Sequence, residues 1–316
     1  MNEKLDLAIS QRLKTAQSII VASHVRPDGD AVGSILGLGL ALQQAGKAVQ
    51  MVLSDGVPAA FRHLPGSSQV VKRASIQYDM SVVVDCSDLE RVGGALNGVA
   101  RPDLTVDHHI TNLDFGVINL VDPGAVATCA ILAKHLPGWG FPITPPVASA
   151  LLTGLVSDTL GFRTSNMTPE ALRLAAFLME GGADLPELYQ RALASHSFTA
   201  LRYWGQGLSH LQREGRLVWT SLTLADRVVA EYYGNDDADL VNILSTIEEA
   251  DVAVIFVEQK NTRVKISWRS QPGVDVSRIA VRFGGGGHPA ASGAEIMGEM
   301  EVVQAQVLEA TRSLLK

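Results

Sequence analysis

Three side chains that can bind a metal ion lie within seven residues near the N-terminus: His24, Asp28 and Asp30. Pro27 and Gly29 lie between them, so a turn can aim the imidazole and both carboxylates at one point. Nitrogen and oxygen ligands of this kind suit hard to borderline divalent cations. A structural alternative also fits, in which Asp30 caps the following helix and Asp28 with Gly29 forms an ordinary turn. This segment alone leaves both interpretations open.

Three other segments place the same groups at the ends of apolar runs. Asp85 follows three valines, and Asp158 ends a second run. Asp107, His108 and His109 end a third. Each has a structural alternative, since such an aspartate could cap a helix and such a histidine could be a core residue. Their recurrence favours a site, because ligands of α/β proteins bind beyond the carboxyl ends of the strands, and clustered carboxylates repel one another unless cations hold them.

The number of candidate ligands favours a pair of ions. The candidates are His24, Asp28, Asp30, Asp85, His108 and Asp158. Two ions about 3.5–4 Å apart would share a bridging carboxylate and keep positions open for water, and Asp85 is the natural bridge. Imidazole and carboxylate without thiolate suit manganese and tolerate magnesium, cobalt or iron. A water between two such ions would lose a proton near neutral pH and become a nucleophile.

A glycine-dense segment in the second half predicts a different kind of site. Four consecutive glycines, at 284–287, precede His288. We expect a loop whose backbone N–H groups hold a phosphate, with His288 donating a hydrogen bond or a positive charge. A flexible linker is the alternative, although the segment's position inside a domain weighs against it.

A basic strand lies close to this segment in the sequence. A period of two places Arg263, Lys265 and Arg269 on one face and Trp268 on the other. Such a face is commonly a solvated sheet surface, but it could also form the basic wall of a phosphate site. Arg269, next to Ser270 at the strand's end, is the best placed for a forked phosphate contact.

The elements that would position these side chains predict an α/β fold with a mainly parallel sheet. We expect strands at 18–23, 49–53, 81–85 and 104–106, and a helix at 31–44. Residues 126–213 are typical of helices, one of which has Thr168 as N-cap, Pro169 at its first position and Gly181 just past its end. Further strands are expected at 218–224, 252–258 and 262–269.

This pattern divides the chain into two domains. We expect an N-terminal α/β domain at 1–190, a helical connector at 191–213, and a smaller α+β domain at 214–316, with the active site in the cleft between the domains. The 26 Lys and Arg against 33 Asp and Glu give a net charge of −7, which disfavours binding to long nucleic acid but not to a small phosphorylated substrate.

Composition and cysteine use indicate a cytoplasmic protein. An apolar fraction of 47% excludes a disordered chain. Cys86 and Cys129 form no disulfide framework, which is typical of a reducing compartment. No apolar run is long enough to span a bilayer, so no membrane partner is expected. The sequence lacks a dinucleotide fingerprint, a P-loop and a nucleophile elbow.

The ordered motifs resemble the DHH phosphoesterase superfamily. Residues 24–34, then Asp85, then Asp107-His108-His109, then Asp158 look like its four N-terminal motifs. Residues 284–293 resemble the glycine-rich motif of the DHH-associated domain, and the segment Ser267-Trp268-Arg269-Ser270 resembles its Ser-x-Arg-Ser strand, with Trp268 as a departure. In size and layout the chain is most similar to the nanoRNase/pAp-phosphatase group.

The resemblance implies roles for individual residues. One manganese ion would be held by His24, Asp28 and Asp85, and a second by Asp30, Asp85, His108 and Asp158, with magnesium or cobalt as alternatives. Asp85, Asp107 and His109 would be catalytic, with His109 near the scissile phosphate. The substrate would be held by His109, Arg269, Ser270, Gly286, Gly287 and His288.

The implied substrates are short single-stranded RNA, dinucleotides and phosphoadenosine phosphate, with no long duplex nucleic acid. The resemblance leaves a homodimer open. RecJ-like exonucleases carry extra domains, and family II pyrophosphatases lack the glycine-rich segment. Cyclic dinucleotide phosphodiesterases share the whole layout and stay open as an alternative. A non-catalytic nucleotide sensor is the alternative of a different class, which an intact set of six ligands disfavours.

Overall fold

The computed structural model of the chain describes residues 3–75, 77–96 and 98–315. The chain forms two compact units, Met1–Ser195 and His196–Lys316. Among the described residues, no helix is both long and apolar enough to cross a membrane.

The first unit is built on a five-stranded sheet. Its elements are α1 (Glu3–Thr15), β1 (Ser18–Ala22), α2 (Gly29–Gln44), β2 (Ala48–Val52), β3 (Met80–Val84), β4 (Leu104–Asp107), β5 (Ile118–Val121), α3 (Thr128–Trp139), α4 (Pro145–Asp158), α5 (Pro169–Glu180) and α6 (Leu185–Tyr189). The strand order is β2-β1-β3-β4-β5 and every pair is parallel. Short 3₁₀ turns lie at Ala59–Phe61, Ser67–Gln69 and Glu90–Val92, and a π-helical turn lies at Gln190–Ala194.

The predicted α/β class is confirmed, and most predicted elements agree with the structure to within one or two residues. Thr168 caps α5 through its side chain, Pro169 opens this helix, and Gly181 follows it. Strand β5 was not predicted, because only one of its four residues is fully buried and its sequence carries no compact apolar run.

Helices α2 and α4 pack with their backbones unusually close. Three α2 glycines at four-residue spacing face α4, and a Cβ added to Gly29, Gly33 or Gly37 would lie 2.2, 2.5 or 2.4 Å from an atom of α4. Residues four apart share one helix face, so these glycines form a continuous contact line. Their missing side chains allow Asp30, beside Gly29, to approach the end of α4.

The second unit contains a six-stranded mixed sheet. Its elements are α7 (Phe198–Ser209), β6 (Gln212–Glu214), β7 (Leu217–Leu222), α8 (Leu224–Ala230), α9 (Leu240–Leu244), β8 (Val252–Gln259), β9 (Arg263–Ser270), α10 (Ser277–Arg282), β10 (Gly286–His288), β11 (Ala291–Met297) and α11 (Met300–Arg312). The strand order is β10-β11-β9-β8-β7-β6, in which only the β7–β8 pair is parallel. Trp268 is fully buried and donates a hydrogen bond from Nε1 to Thr311 Oγ1 at 3.1 Å, so it points into the core.

Three local expectations need correction. The glycine-rich segment is not an open loop, because residues 286–288 form β10 and pair with β11. Leu224 does not continue the strand: it opens α8, whose N-cap Thr223 forms a capping box with Asp226. The segment expected as a helical connector, residues 191–213, is not wholly helical. It contains most of the π-helical turn, then α7 of the second unit, and then the first two residues of β6.

We predict that Gly33→Ala lowers the free energy of unfolding by about 1–3 kcal/mol, because the added methyl group meets backbone atoms that cannot move aside. Its Cβ would lie 2.5 Å from the Ala150 carbonyl oxygen and 3.0 Å from the Gly154 nitrogen. Gly138→Ala in α3 is the matched control, since nothing lies within 4 Å of its Cβ. Denaturant unfolding of both variants checks this, and equal stability of the two would contradict the close helix contact.

Candidate metal centre

Three of the six predicted ligands lie at the carboxyl ends of three neighbouring parallel strands. His24 lies two residues beyond β1, Asp85 directly follows β3, and His108 directly follows β4. Parallel strands end at the same edge of a sheet, so the β1-β3-β4 order places these side chains side by side. All three are almost fully buried, with 4%, 1% and 4% of their surfaces exposed.

Asp85 adopts a left-handed backbone conformation, with φ of +52°. This region is unfavourable for most residues, although aspartate tolerates it better than branched residues do. The surrounding structure fixes it: Asp85 N–H donates to Val106 O at 2.9 Å, and Ser23 Oγ donates to Asp85 O at 3.3 Å. The turn aims the carboxylate across the strand ends rather than along β3. Such fixed outliers are frequent at functional sites.

Two groups of donor atoms share the Asp85 carboxylate. In the first, His24 Nε2 lies 3.6 Å from Asp85 Oδ2 and 3.9 Å from Asp28 Oδ1. In the second, His108 Nε2 lies 3.8 Å from Asp85 Oδ1 and 3.9 Å from Asp30 Oδ2. The two oxygens of Asp85 therefore face different groups.

The remaining predicted ligand, Asp158, belongs to the second group. It ends α4, and its Oδ2 lies 3.5 Å from His108 Nε2. All six predicted ligands are thus brought together in the first unit.

The spacing of these atoms fits divalent cations. Separations of 3.5–3.9 Å are too long for strong hydrogen bonds. Two ligands that each lie about 2.1 Å from one ion are separated by roughly 3–4 Å, which matches the observed distances. Among the described residues these donor groups contain no cysteine, and burial raises the pKa of Cys86 to about 12 and that of Cys129 well above its usual range. Ligation by these six residues stays a prediction.

Backbone carbonyls orient both imidazoles. His24 Nδ1 lies 2.8 Å from Val25 O, and His108 Nδ1 lies 3.3 Å from Ala125 O. A carbonyl can only accept, so Nδ1 carries the proton in each ring. Nε2 is then the ring atom that faces the carboxylates, and in the neutral ring it carries the lone pair that a metal ligand requires.

His109 is held by a separate hydrogen-bond network centred on Asp107. Asp107 Oδ1 accepts from His109 Nδ1 at 2.7 Å and from His108 N–H at 2.9 Å, while its Oδ2 accepts from Asn112 Nδ2 at 2.6 Å. Burial lowers the pKa of His109, but the Asp107 hydrogen bond and the Asp85 charge outweigh it and raise the pKa overall. Asp107 therefore acts on His109 by orienting it.

The charge balance of this cluster favours the binding of cations. Burial and the neighbouring Asp85 charge raise the pKa of Asp30 to about 7. Burial and the Asp30 charge raise the pKa of Asp158 well above its usual range. Burial opposes ionisation of Asp85 as well, but the adjacent imidazoles, led by His24, outweigh it and lower its pKa. Without cations, the cluster keeps protons that carboxyl groups in water would lose.

Asp28, a predicted ligand, also has a structural role. It is the N-cap of α2, and its Oδ1 accepts from the N–H groups of Asp30 and Ala31 at 3.0 Å each. The structural alternative assigned the cap to Asp30, which is wrong: Asp30 lies in the first turn of α2. Its carboxylate instead accepts from backbone N–H groups of α3.

The predicted substrate-binding residues of the second unit lie on β9 and β10, the two strands that flank β11. Ala291 of β11 is the register partner of both Arg269 on β9 and His288 on β10. Arg269 donates from Nε to Asn242 Oδ1 at 2.9 Å and from Nη1 to Trp268 O at 3.0 Å. Ser270 Oγ donates to backbone carbonyls, which indicates that it holds the end of β9 rather than presenting its hydroxyl group.

The two glycines of β10 differ in how closely other atoms surround them. Gly287 has φ of +136°, and a Cβ there would lie 2.5 Å from Ala291 O, so close strand pairing requires it. Gly286 has open space where a side chain would be. Arg263, expected in the basic wall, is paired with Glu295 at 2.8 Å.

Sequence reasoning missed two residues that contact the cluster, Thr128 and Asn112. Thr128 Oγ1 donates to Asp85 Oδ1 at 3.1 Å, and Asn112 contacts Asp107 as described. Asn112 lies five residues beyond Asp107, so proximity gave a weak signal. Thr128 lies 43 residues from Asp85, and no local pattern distinguishes it.

Comparison with known proteins agrees with this fold. The family model for the DHH family, N-terminal domain, matches residues 18–155, and that for the DHHA1 domain matches residues 227–315. The chain is 36% identical to the bifunctional oligoribonuclease and PAP phosphatase NrnA of Thermus thermophilus, over 99% of this chain and 95% of that protein. The chain therefore belongs to the DHH family, as its motifs predicted.

Two solved structures are also similar. An exopolyphosphatase-related protein from Bacteroides fragilis superposes with a TM-score of 0.90 at 25% identity, over 100% of this chain and 98% of the other. RecJ of Thermus thermophilus, solved in complex with Mn²⁺, gives a TM-score of 0.51 at 13% identity, over 98% of this chain and 54% of RecJ. The second likeness shows the shared fold alone.

We predict that divalent cations release protons when they bind to the apoprotein near pH 7. Asp30, with its pKa raised to about 7, is partly protonated there and must ionise to act as a ligand. Affinity should therefore fall as pH drops below 7. Titration calorimetry in two buffers of different ionisation enthalpy measures the released protons, and Asp30→Asn should release fewer. Heats that do not depend on the buffer would contradict the prediction.

Proposed function

We propose that this chain is a metal-dependent hydrolase of phosphoester bonds that degrades short oligoribonucleotides to mononucleotides and dephosphorylates phosphoadenosine phosphate. The observation that carries the proposal is the pair of donor groups that share Asp85, one with His24 and one with His108. The similarity to the Thermus thermophilus enzyme over nearly the whole chain supports this choice of substrates.

The donor set favours two ions, with manganese preferred and magnesium or cobalt as alternatives. His24, Asp28 and Asp85 would hold one, and Asp30, Asp85, His108 and Asp158 the other. When bound, such a pair supplies an activated water and stabilises the attacking and leaving oxygens of the phosphoryl group.

His109 is proposed to act on the phosphate directly. Its Nδ1 is committed to Asp107 at 2.7 Å, and we assign the contact with the substrate to Nε2. Its raised pKa increases the protonated fraction near neutral pH. A protonated Nε2 can donate to a phosphoryl oxygen or to the leaving oxygen. Asp107 would hold the ring in position, in the manner of an orienting carboxylate.

Arg269 and the β10 hairpin are proposed to hold the substrate. Asn242 and the Trp268 carbonyl fix two nitrogens of the Arg269 guanidinium, which sets its plane and leaves Nη2 for a phosphate oxygen. His288, Gly286 and Gly287 would contact the terminal nucleotide. Ser270 would keep the turn beside His288 in place through its backbone N–H, which donates to Ala290 O at 3.0 Å, while its hydroxyl donates mainly to Val274 O at 2.6 Å.

We also propose a cytoplasmic location. Cys86 and Cys129 are both buried as free thiols, which suits a reducing compartment. Assembly as a homodimer stays a prediction.

We predict manganese-dependent turnover of dinucleotides, five-mers and phosphoadenosine phosphate, and little turnover of twenty-mers. The test is a panel of these substrates with cyclic di-AMP and pyrophosphate, using Asp85→Asn as the variant that loses the shared ligand. This variant should fold and lose activity by at least about a hundredfold. Cleavage of cyclic di-AMP alone would favour the phosphodiesterase alternative. If none of these substrates is turned over, the result would favour a non-catalytic nucleotide sensor. Full activity of Asp85→Asn would refute the shared-ligand mechanism.

We predict that Arg269→Ala raises KM about 10–100-fold with a smaller change in kcat, because it removes a charged contact to the phosphate. Arg263→Ala is the matched control on the same face of β9, since its guanidinium is paired with Glu295 at the surface. Steady-state kinetics of both variants checks this. Equal KM values for the two would remove Arg269 from the substrate site.

A further inference from the structure

Thr128 links two carboxylates of the metal centre that come from different parts of the chain. It is the first residue of α3 and has no exposed surface. Its backbone N–H donates to Asp30 Oδ2 at 2.6 Å, and its hydroxyl donates to Asp85 Oδ1 at 3.1 Å. Asp30 lies on α2 and Asp85 follows β3, so Thr128 is the connection between the two segments.

The start of α3 depends on this arrangement. Its N-cap residue is Ala127, whose side chain offers no oxygen to the first N–H groups. Asp30 supplies both oxygens instead: Oδ2 accepts from Thr128 N–H and Oδ1 accepts from Cys129 N–H at 2.9 Å. The partial positive charge of the helix N-terminus also stabilises the Asp30 carboxylate. The Asp30 side chain is therefore both the cap of α3 and a proposed metal ligand. Its two hydrogen bonds fix the first residue of α3 relative to Asp30.

The hydroxyl group of Thr128 acts on the shared ligand. Asp85 Oδ2 faces His24, whereas Oδ1 faces His108 and also accepts from Thr128. A carboxylate can rotate about its terminal bond, and a rotation would remove the division of its oxygens between the two donor groups. A hydrogen bond from a fixed donor opposes that rotation and fixes the position of Oδ1.

We infer that Thr128 is a positioning residue of the metal centre, whose hydroxyl keeps the two oxygens of Asp85 divided between the two donor groups. This inference rests on the proposed two-ion site. Ion binding by the group of Asp30, Asp85 and His108 should depend on Thr128 more strongly, because Thr128 makes hydrogen bonds to two of these three residues. The other group depends on Thr128 less, because among the described residues Thr128 makes a hydrogen bond to its shared member Asp85 but none to His24 or Asp28.

The test is manganese binding to Thr128→Val, which keeps the shape and the backbone N–H but removes the hydroxyl. We expect the first Mn²⁺ to bind with wild-type affinity and the second to bind about 10–100-fold more weakly. The electron paramagnetic resonance signal of a spin-coupled manganese pair should be lost at ion concentrations that saturate the wild type. Thr128→Ser, which restores a hydroxyl, should recover both properties.

Thr220→Val provides the matched control. Thr220 is equally buried, and its hydroxyl donates to the Gly207 carbonyl in the second unit. This variant should bind both ions as the wild type does, although it loses a buried hydrogen bond.

Three outcomes separate the inference from the proposed function. Wild-type affinity for both ions in Thr128→Val would overturn the inference while leaving the proposed function intact. Loss of both ions together with a lower apoprotein melting temperature would show a merely structural role for Thr128 and would also overturn it. A wild-type protein that binds no manganese pair would instead refute the two-ion site itself.

Discussion

The structure of the first unit depends on burying several carboxylates at one place. Asp30 and Asp85 are each 1% exposed and both lie within 4 Å of His108 Nε2, as does Asp158. Charges that are removed from water and placed beside like charges resist ionisation. The fold offsets part of this cost with donors: α3 N–H groups for Asp30, a hydroxyl for Asp85, and imidazoles for both. The remaining negative charge is what divalent cations would neutralise.

That cluster can form only because two helices approach closely. Asp30 lies on α2 and Asp158 lies at the end of α4, and each has a carboxylate oxygen within 4 Å of His108 Nε2. A Cβ at Gly154 would lie 2.8 Å from Asp30 Oδ1 and 2.2 Å from Cys129 Sγ, so even one methyl group on α4 would displace the carboxylate. The glycines thus act on the site although none of them is a proposed ligand. A mutation at the helix contact should affect metal binding as well as stability, because the same separation determines both.

The sequence predicted the parts of this site that follow from local patterns. An apolar run followed by Asp85 or by His108 marks a strand end, and parallel pairing then brings the strand ends together. The motif order identified the family. Two features could not be predicted from local patterns: the role of Thr128 and the hairpin at β10. The role of Thr128 depends on where α3 meets α2, and the contact spans 43 residues between Thr128 and Asp85. The hairpin at β10 was expected to be a loop, because glycine density signals permissive backbone but does not distinguish a phosphate-binding loop from a strand that needs close pairing, as Gly287 does.

The net charge of −7 is partly explained by the carboxylates of the candidate metal centre. Four of the acidic residues, Asp28, Asp30, Asp85 and Asp158, are proposed ligands, so two divalent cations would offset their charge. In the second unit, Arg263 is paired with Glu295, and Arg269 lies on β9, beside the β11 strand that pairs with β10. Affinity for long nucleic acid grows with the number of cation–phosphate contacts, and a protein with a net negative charge offers few of them. An anionic chain that extended beyond its bound phosphate would meet this net negative charge, so electrostatics favours the short substrates of the proposed function.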